Sequence, residues 1–175
     1  MVGQRPRRVA AVEQPAGVSA MPRKQLLIVA HAPSPNTRRL AEAALRGASH
    51  ADIEQVDARW VPPLEAQPDD VLAADAILLG TTENLGYMSG ALKDFFDRCY
   101  YPVLEQQQGL PCALYIRAGM DGTGTRRAVE SIVTGLRWNW VQEPLTLRGD
   151  WQDGFEQQVE ELGLYLAAGL DNGVF

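Results

Sequence analysis

Three short apolar runs recur along this chain, and a stretch with helical spacing follows each of them. They are QLLIVA (25–30), AILLG (76–80) and PCALYIRA (111–118). Runs this apolar leave no face for water, so they predict strands buried on both sides of a sheet. Helical periodicity follows at 36–47, where Leu40, Ala43 and Ala44 share a face and Gly47 closes the segment. It returns at 69–74, 89–106, 123–136 and 151–170. The segment 89–106 carries a broad apolar stripe of Leu92, Phe95, Phe96, Cys99, Tyr100 and Val103; the last carries Phe155, Val159, Leu162, Leu166 and Leu170. DIEQVDA (52–58) alternates and predicts an edge strand that VPP (61–63) ends. Residues 138–147 read as extended and interrupted by Pro144. Strands joined by helical crossovers require a parallel sheet covered on both faces. The prediction is an α/β three-layer sandwich with a five-stranded parallel sheet, and the order 2-1-3-4-5 is a common solution for it.

The chain has 175 residues, which fits one domain with a tail. Residues 1–22 read as a disordered tail and 23–175 as the folded domain. The first twenty residues hold three arginines, one glutamate and no aromatic residue. Arg7-Arg8 lacks the apolar run that an export signal needs. Net charge is −6 and no basic stripe appears, which argues against a nucleic-acid partner. No apolar run approaches the ~20 residues of a membrane helix, so no membrane partner is expected. The two cysteines, Cys99 and Cys112, have no metal-like spacing and fall on apolar positions. They read as reduced core thiols of a cytoplasmic protein, and no metal is expected.

In a doubly wound sheet, ligands bind beyond the carboxyl ends of the strands, near the switch point. Three loops therefore matter: those after residues 30, 80 and 117. The first is HAPSPNTRR (31–39). Ser34, Asn36 and Thr37 precede a helix, whose start offers free N–H groups and a positive dipole end. That combination holds a phosphate, or it is simple helix capping. Neither GxxxxGK[ST] nor GxGxxG occurs here, which counts against a P-loop nucleotidase and a dinucleotide fingerprint.

The stretch Ser34-Pro35-Asn36-Thr37-Arg38-Arg39-Leu40-Ala41 resembles the first loop of the NADPH-dependent FMN reductases. The stretch Leu85-Gly86-Tyr87-Met88-Ser89-Gly90-Ala91-Leu92-Lys93, ending in Phe96-Asp97-Arg98, is similar to the second flavin loop of the same flavodoxin-like superfamily. The third loop, Arg117 to Gly124, is glycine-rich in the corresponding place. The resemblance covers about residues 25–170 and implies a flavodoxin-like fold. It implies FMN as cofactor, held by Ser34, Asn36 and Thr37 in loop one and by Thr82, Glu83, Asn84, Leu85, Gly86 and Tyr87 in loop two. His31, directly after the first strand, reads either as a further cofactor contact or as a loop histidine with a backbone hydrogen bond. Ala118, Gly119, Met120, Asp121 and Gly122 would approach the ring from the other side. Glycine suits such a loop because backbone can then lie close to a flat ring.

What the resemblance implies about activity is an oxidoreductase. NAD(P)H would donate electrons through the flavin to a quinone, a free flavin or another small-molecule acceptor. No catalytic side chain is required, and no carboxylate or histidine pairs with Glu83 in sequence to suggest hydrolysis. A flavodoxin-type electron carrier is the alternative, with the acidic charge steering a basic partner; a flavodoxin-like scaffold without flavin is another. Reductases of this type are often homodimers with flavin near the subunit boundary, and the resemblance carries that expectation here. Lys93 and Asp97 read as an ordinary helix pair, Asp97-Arg98 alternatively as part of a subunit contact. Trp138, Trp140 and Trp151 read as core and rim packing.

Overall fold

The alternation continues through the whole body. In the computed structural model, which describes residues 21–175, the chain runs β1 (Lys24–Ala30), α1 (Pro35–Ala48), β2 (Val56–Val61), α2 (Pro68–Leu72), β3 (Ala76–Asn84) and β4 (Tyr87–Met88). It continues through α3 (Gly90–Val103), β5 (Pro111–Ala118), α4 (Thr123–Leu136), β6 (Asn139–Trp140), β7 (Leu145–Arg148) and α5 (Gly154–Asp171). The expected tail lies almost wholly outside the described residues.

The sheet order is β2-β1-β3-β5-β6, with β7 also on β5 and β4 on β3. Its parallel core has the expected 2-1-3-4-5 order. It differs in strand count, because the fifth strand comes in two pieces. Cys112 pairs with Trp140 and Tyr115 with Leu145, so residues 141–144 of one edge oppose only 113–114 of the other. Such a bulge accommodates Pro144, which has no N–H for a ladder. The first edge strand also shifts. Residues 50–53 form turns, with Ile53 N–H on His50 C=O and Asp52 N–H on His50 Nδ1. Parallel pairing of Lys24 with Val56 through Val29 with Val61 then sets the strand at 56–61 rather than 52–58.

The period of two along the central strands builds two cores. Leu27, Val29, Ile77, Leu79, Cys112 and Leu114 pack with the stripes of α3 and α4. Leu26, Ile28, Leu78, Ala113 and Tyr115 pack with α1 and α5. The α1 and α5 backbones approach so closely that a Cβ on Gly47 would strike the Glu160 carbonyl, and one on Gly163 the Ala44 carbonyl. Helix α3 stops at Val103 rather than 106, just after Pro102, and Gln107 Nε2 then donates to the carbonyls of Val71, Leu72 and Ala74 at the end of α2. Helix α5 starts at Gly154 rather than 151, leaving Trp151 edge-on to Phe155. Trp138 is buried and Trp140 is half-buried, both as expected of packing residues. Among the described residues, no helix is long and apolar enough to cross a membrane.

Candidate functional site

The strand register lines up Ala30, Gly80 and Tyr115 in one row across β1, β3 and β5. The three loops leave the sheet just beyond that row. His31 N–H donates to the Gly80 carbonyl at 2.9 Å, so loops one and two begin joined.

In loop one, Ser34 caps α1 with a capping box. Ser34 Oγ accepts the Thr37 N–H at 3.2 Å, and Thr37 Oγ1 accepts the Ser34 N–H at 2.9 Å. The two loop prolines, Pro33 and Pro35, have no N–H. Capping is thus realised, and it draws Ser34 Oγ, Thr37 Oγ1 and the exposed Asn36 together at the start of a helix with no acid in its first turn. The N–H groups of Ala32 and Asn36 have no protein partner among the described residues. Thr37 Oγ1 donates to the Ser34 carbonyl at 3.0 Å and lies 2.9 Å from Ser34 Oγ, so both hydroxyls are engaged within the cap. The free N–H groups, the Asn36 carboxamide and the positive helix end are the donors open to a phosphate monoester. Arg38 lies 5.5 Å from the Trp60 ring and Arg39 4.9 Å from the Trp151 ring, one on each flank. Trp60 Nε1 donates to the Ala30 carbonyl at 3.0 Å. His31 is half-buried, and burial holds its imidazole below the ordinary value, toward the neutral form.

Loop two is not the open loop that its glycines imply. Strand β3 runs on to Asn84, turns at Leu85-Gly86 and returns as β4, with Glu83 opposite Met88 and Asn84 opposite Tyr87. Leu85 and Gly86 have φ of 53° and 74°. Two left-handed residues make the tight turn whose twist suits a hairpin. Gly86 supplies that conformation freely; Leu85 takes it with its side chain fully exposed. Thr82 Oγ1 donates to Asn84 Oδ1 at 2.8 Å. Beneath them, buried Thr81 Oγ1 accepts the Ser89 N–H, and Ser89 Oγ accepts the Leu92 N–H to cap α3.

Loop three is bound to loop two by one carboxylate. Glu83 Oε1 accepts the Met120 N–H at 2.8 Å and Oε2 the Gly122 N–H at 2.7 Å. These two amides therefore face Glu83, not outward as a ring-binding role would have them. Gly119 is different. Its backbone is not left-handed and a Cβ there would meet nothing, so neither conformation nor protein packing calls for glycine at 119. Asp121 Oδ1 accepts the Thr123 N–H at 2.9 Å, and this bond above all holds its carboxyl below the usual range. Ala118 is buried beneath the loop; Met120 is exposed at its rim. Arg117 donates to the carbonyls of Ala118, Leu147 and Gly149 and so braces the loop from the sheet side.

All fifteen expected positions thus fall on one end of the sheet, in three loops linked by His31 and Glu83. Thr81, Trp60 and Tyr115 lie against the same loops and were not among the expected residues. Tyr115 lies over Gly80, where a Cβ would strike its ring, and its hydroxyl has no partner among the described residues. Arg98 donates to Asp94 and to the carbonyls of Pro63 and Ala66 within the chain. Lys93 does pair with Asp97, at 2.6 Å. Cys99 and Cys112 are buried free thiols, pushed up to about 11 and about 12 by burial. Among the described residues, no group of three metal-ligating side chains occurs.

The chain has the flavodoxin-like fold. It superposes on a flavodoxin from the domain Archaea with a TM-score of 0.71 at 20% identity, over 83% of this chain and 98% of that one. It superposes on the WrbA-like flavodoxin of Agrobacterium tumefaciens with a TM-score of 0.69 at 19% identity, over 85% and 98%. In sequence it is 30% identical over 112 residues to a flavodoxin of Aquifex aeolicus strain VF5, covering 64% of this chain. It is also 30% identical to an NAD(P)H dehydrogenase (quinone) of Acidithiobacillus ferrooxidans, covering 42% of this chain. The matches span 60% and 46% of those two proteins. No family model matches the chain.

Proposed function

We propose that the protein binds FMN in the three loops and moves electrons from NAD(P)H through it to a quinone, a free flavin or another small acceptor. When bound, FMN supplies the hydride and electron chemistry. The observation that carries the reading is the donor set of loop one, placed at the switch point of the sheet beside a glycine, Gly119, that the protein's own packing does not explain. The Asn36 carboxamide and the free N–H groups of Ala32 and Asn36 would hold the phosphate, over a helix start that Ser34 and Thr37 cap. Thr82, Asn84 and the open backbone at Gly119 would border the ring. Glu83 keeps loops two and three at a fixed spacing, with both carboxylate oxygens on loop-three amides. Exposed Leu85, Tyr87 and Met120 form a rim that would shield a flat ligand from water.

Turnover separates this reading from an electron carrier, which the 30% identity to a flavodoxin and the net charge of −6 favour. The purified, FMN-loaded protein is mixed with NADPH and benzoquinone, and NADPH loss is followed. Sustained oxidation supports the reductase. Flavin reduced only when a separate reductase is added makes the protein a carrier.

A further inference from the structure

We infer that the cavity between the β6–β7 connection and α5 binds an organic cation, an ammonium or guanidinium group carried on an apolar body. The cavity measures about 460 Å3, a volume that suits a small molecule. None of the loop positions assigned to the flavin lines it, so the inference stands apart from the FMN reading. The interruption of the edge strand makes the space. Val141 still belongs to the ladder, its N–H on the Cys112 carbonyl at 3.1 Å, and pairing resumes at Leu145. The residues between them, Gln142, Glu143 and Pro144, all line the cavity. Half-buried Leu145 and, from α5, buried Leu162 give it an apolar floor. Tyr165 stands at its wall with its hydroxyl donating to the Val141 carbonyl at 3.0 Å, which holds the ring in place.

The charges on the cavity have one sign. Among the described residues, no lysine, arginine or histidine lines it. Glu161 of α5 has no ion pair among them; its Oε1 accepts the Gln157 carboxamide at 3.0 Å. Glu143 of the connection meets Arg126 at 2.8 Å, but Arg126 does not line this cavity and is shared with Glu130. Two carboxylates therefore border an apolar floor with a single shared guanidinium to answer them. Gln158 gives its Nε2 to the Gly154 carbonyl, which leaves its oxygen as a further acceptor. An anion would meet like charge here, and a neutral apolar molecule would leave the carboxylates unanswered. A bare metal ion would lack ligands, since no group of three metal-ligating side chains occurs among the described residues. An ammonium or guanidinium head on an apolar body satisfies both walls, and the Tyr165 ring offers such a head its face.

The test titrates the full-length protein calorimetrically with 2-phenylethylamine, with its uncharged analogue 2-phenylethanol and with methylammonium, which has the charge without the body. All three are measured at about 0.15 M salt, where long-range attraction to the acidic chain is screened. They are repeated with the Glu143→Gln, Glu161→Gln double variant and with a Glu54→Gln, Glu65→Gln control, which removes the same charge from residues that do not line the cavity. Melting temperatures check that each variant folds. Should the double variant melt lower, Glu161→Gln alone carries the comparison, because that exposed side chain makes only the Gln157 bond. The expected result is that the amine binds at least about tenfold more tightly than either analogue, that the cavity substitutions abolish this advantage and that the control keeps it. No binding of the amine, equal binding of the alcohol or of methylammonium, or an advantage that survives the cavity substitutions overturns the inference. A control that loses as much as the cavity variant overturns it too, since the attraction is then that of the whole acidic surface.

Discussion

Glu83 at the end of β3 holds the Gly122 N–H of loop three at 2.7 Å, with its other oxygen on Met120. One side chain thereby fixes the distance between the two loops that would flank a flavin ring. Gly124 completes the junction, because a Cβ there would strike the Gly86 carbonyl at the hairpin tip. Glu83→Ala leaves two amides without their acceptor. It is expected to cost about 1–2 kcal/mol in urea unfolding and to speed hydrogen exchange at Met120 and Gly122 above the rest of the sheet. Unchanged exchange at both amides would contradict the role given to Glu83.

Leu85 holds a left-handed backbone with nothing packed against its side chain. Asparagine adopts that conformation more readily and loses no burial here. Leu85→Asn is expected to raise stability by about 0.5–1 kcal/mol, read as a higher urea midpoint with the same slope. A lower midpoint would mean that Leu85 packs against something the isolated fold does not show.

Gly80 lies under the Tyr115 ring, and the buried Tyr115 hydroxyl has no partner among the described residues. Gly80→Ala overpacks that contact and is expected to cost about 1–3 kcal/mol. Tyr115→Phe removes an unsatisfied group and is expected to be neutral or mildly stabilising. A loss above about 1 kcal/mol for Tyr115→Phe would show that the hydroxyl has a bonding partner in solution, such as a bound water.

Burial holds the His31 imidazole below its ordinary 6.5, so the unfolded chain takes up the proton first as pH falls. The stability tied to neutral His31 is present above about pH 6.5 and is lost as pH falls through the folded value. Between about pH 7.5 and pH 5 the wild type should therefore lose more stability than His31→Gln, compared by urea midpoints. Parallel losses in the two proteins would refute it.

Much of this architecture was legible because the buried strands carry no polar alternation. QLLIVA, AILLG and PCALYIRA read directly as core strands, and β5 and α4 have the expected bounds. The edge was less legible. DIEQVDA and VDARWV both alternate, and only pairing with β1 selects the second. The hairpin at 83–88 was hidden because its turn is Leu-Gly, where Asn-Gly would have announced it. Loop positions of the candidate site followed from the rule for strand ends. Their partners did not: Glu83 meets loop three across 37 and 39 residues of sequence, a relationship that no local pattern encodes. Trp60 and Tyr115 were missed for the same reason, since each acts through a neighbouring strand.

The visible absorption spectrum after FMN is added and the protein desalted tests the central claim most directly. The account predicts a retained flavin band with FMN, none with riboflavin, and loss of the band in Asn36→Ala, because the phosphate is held at loop one. A protein that leaves the column without flavin would contradict it.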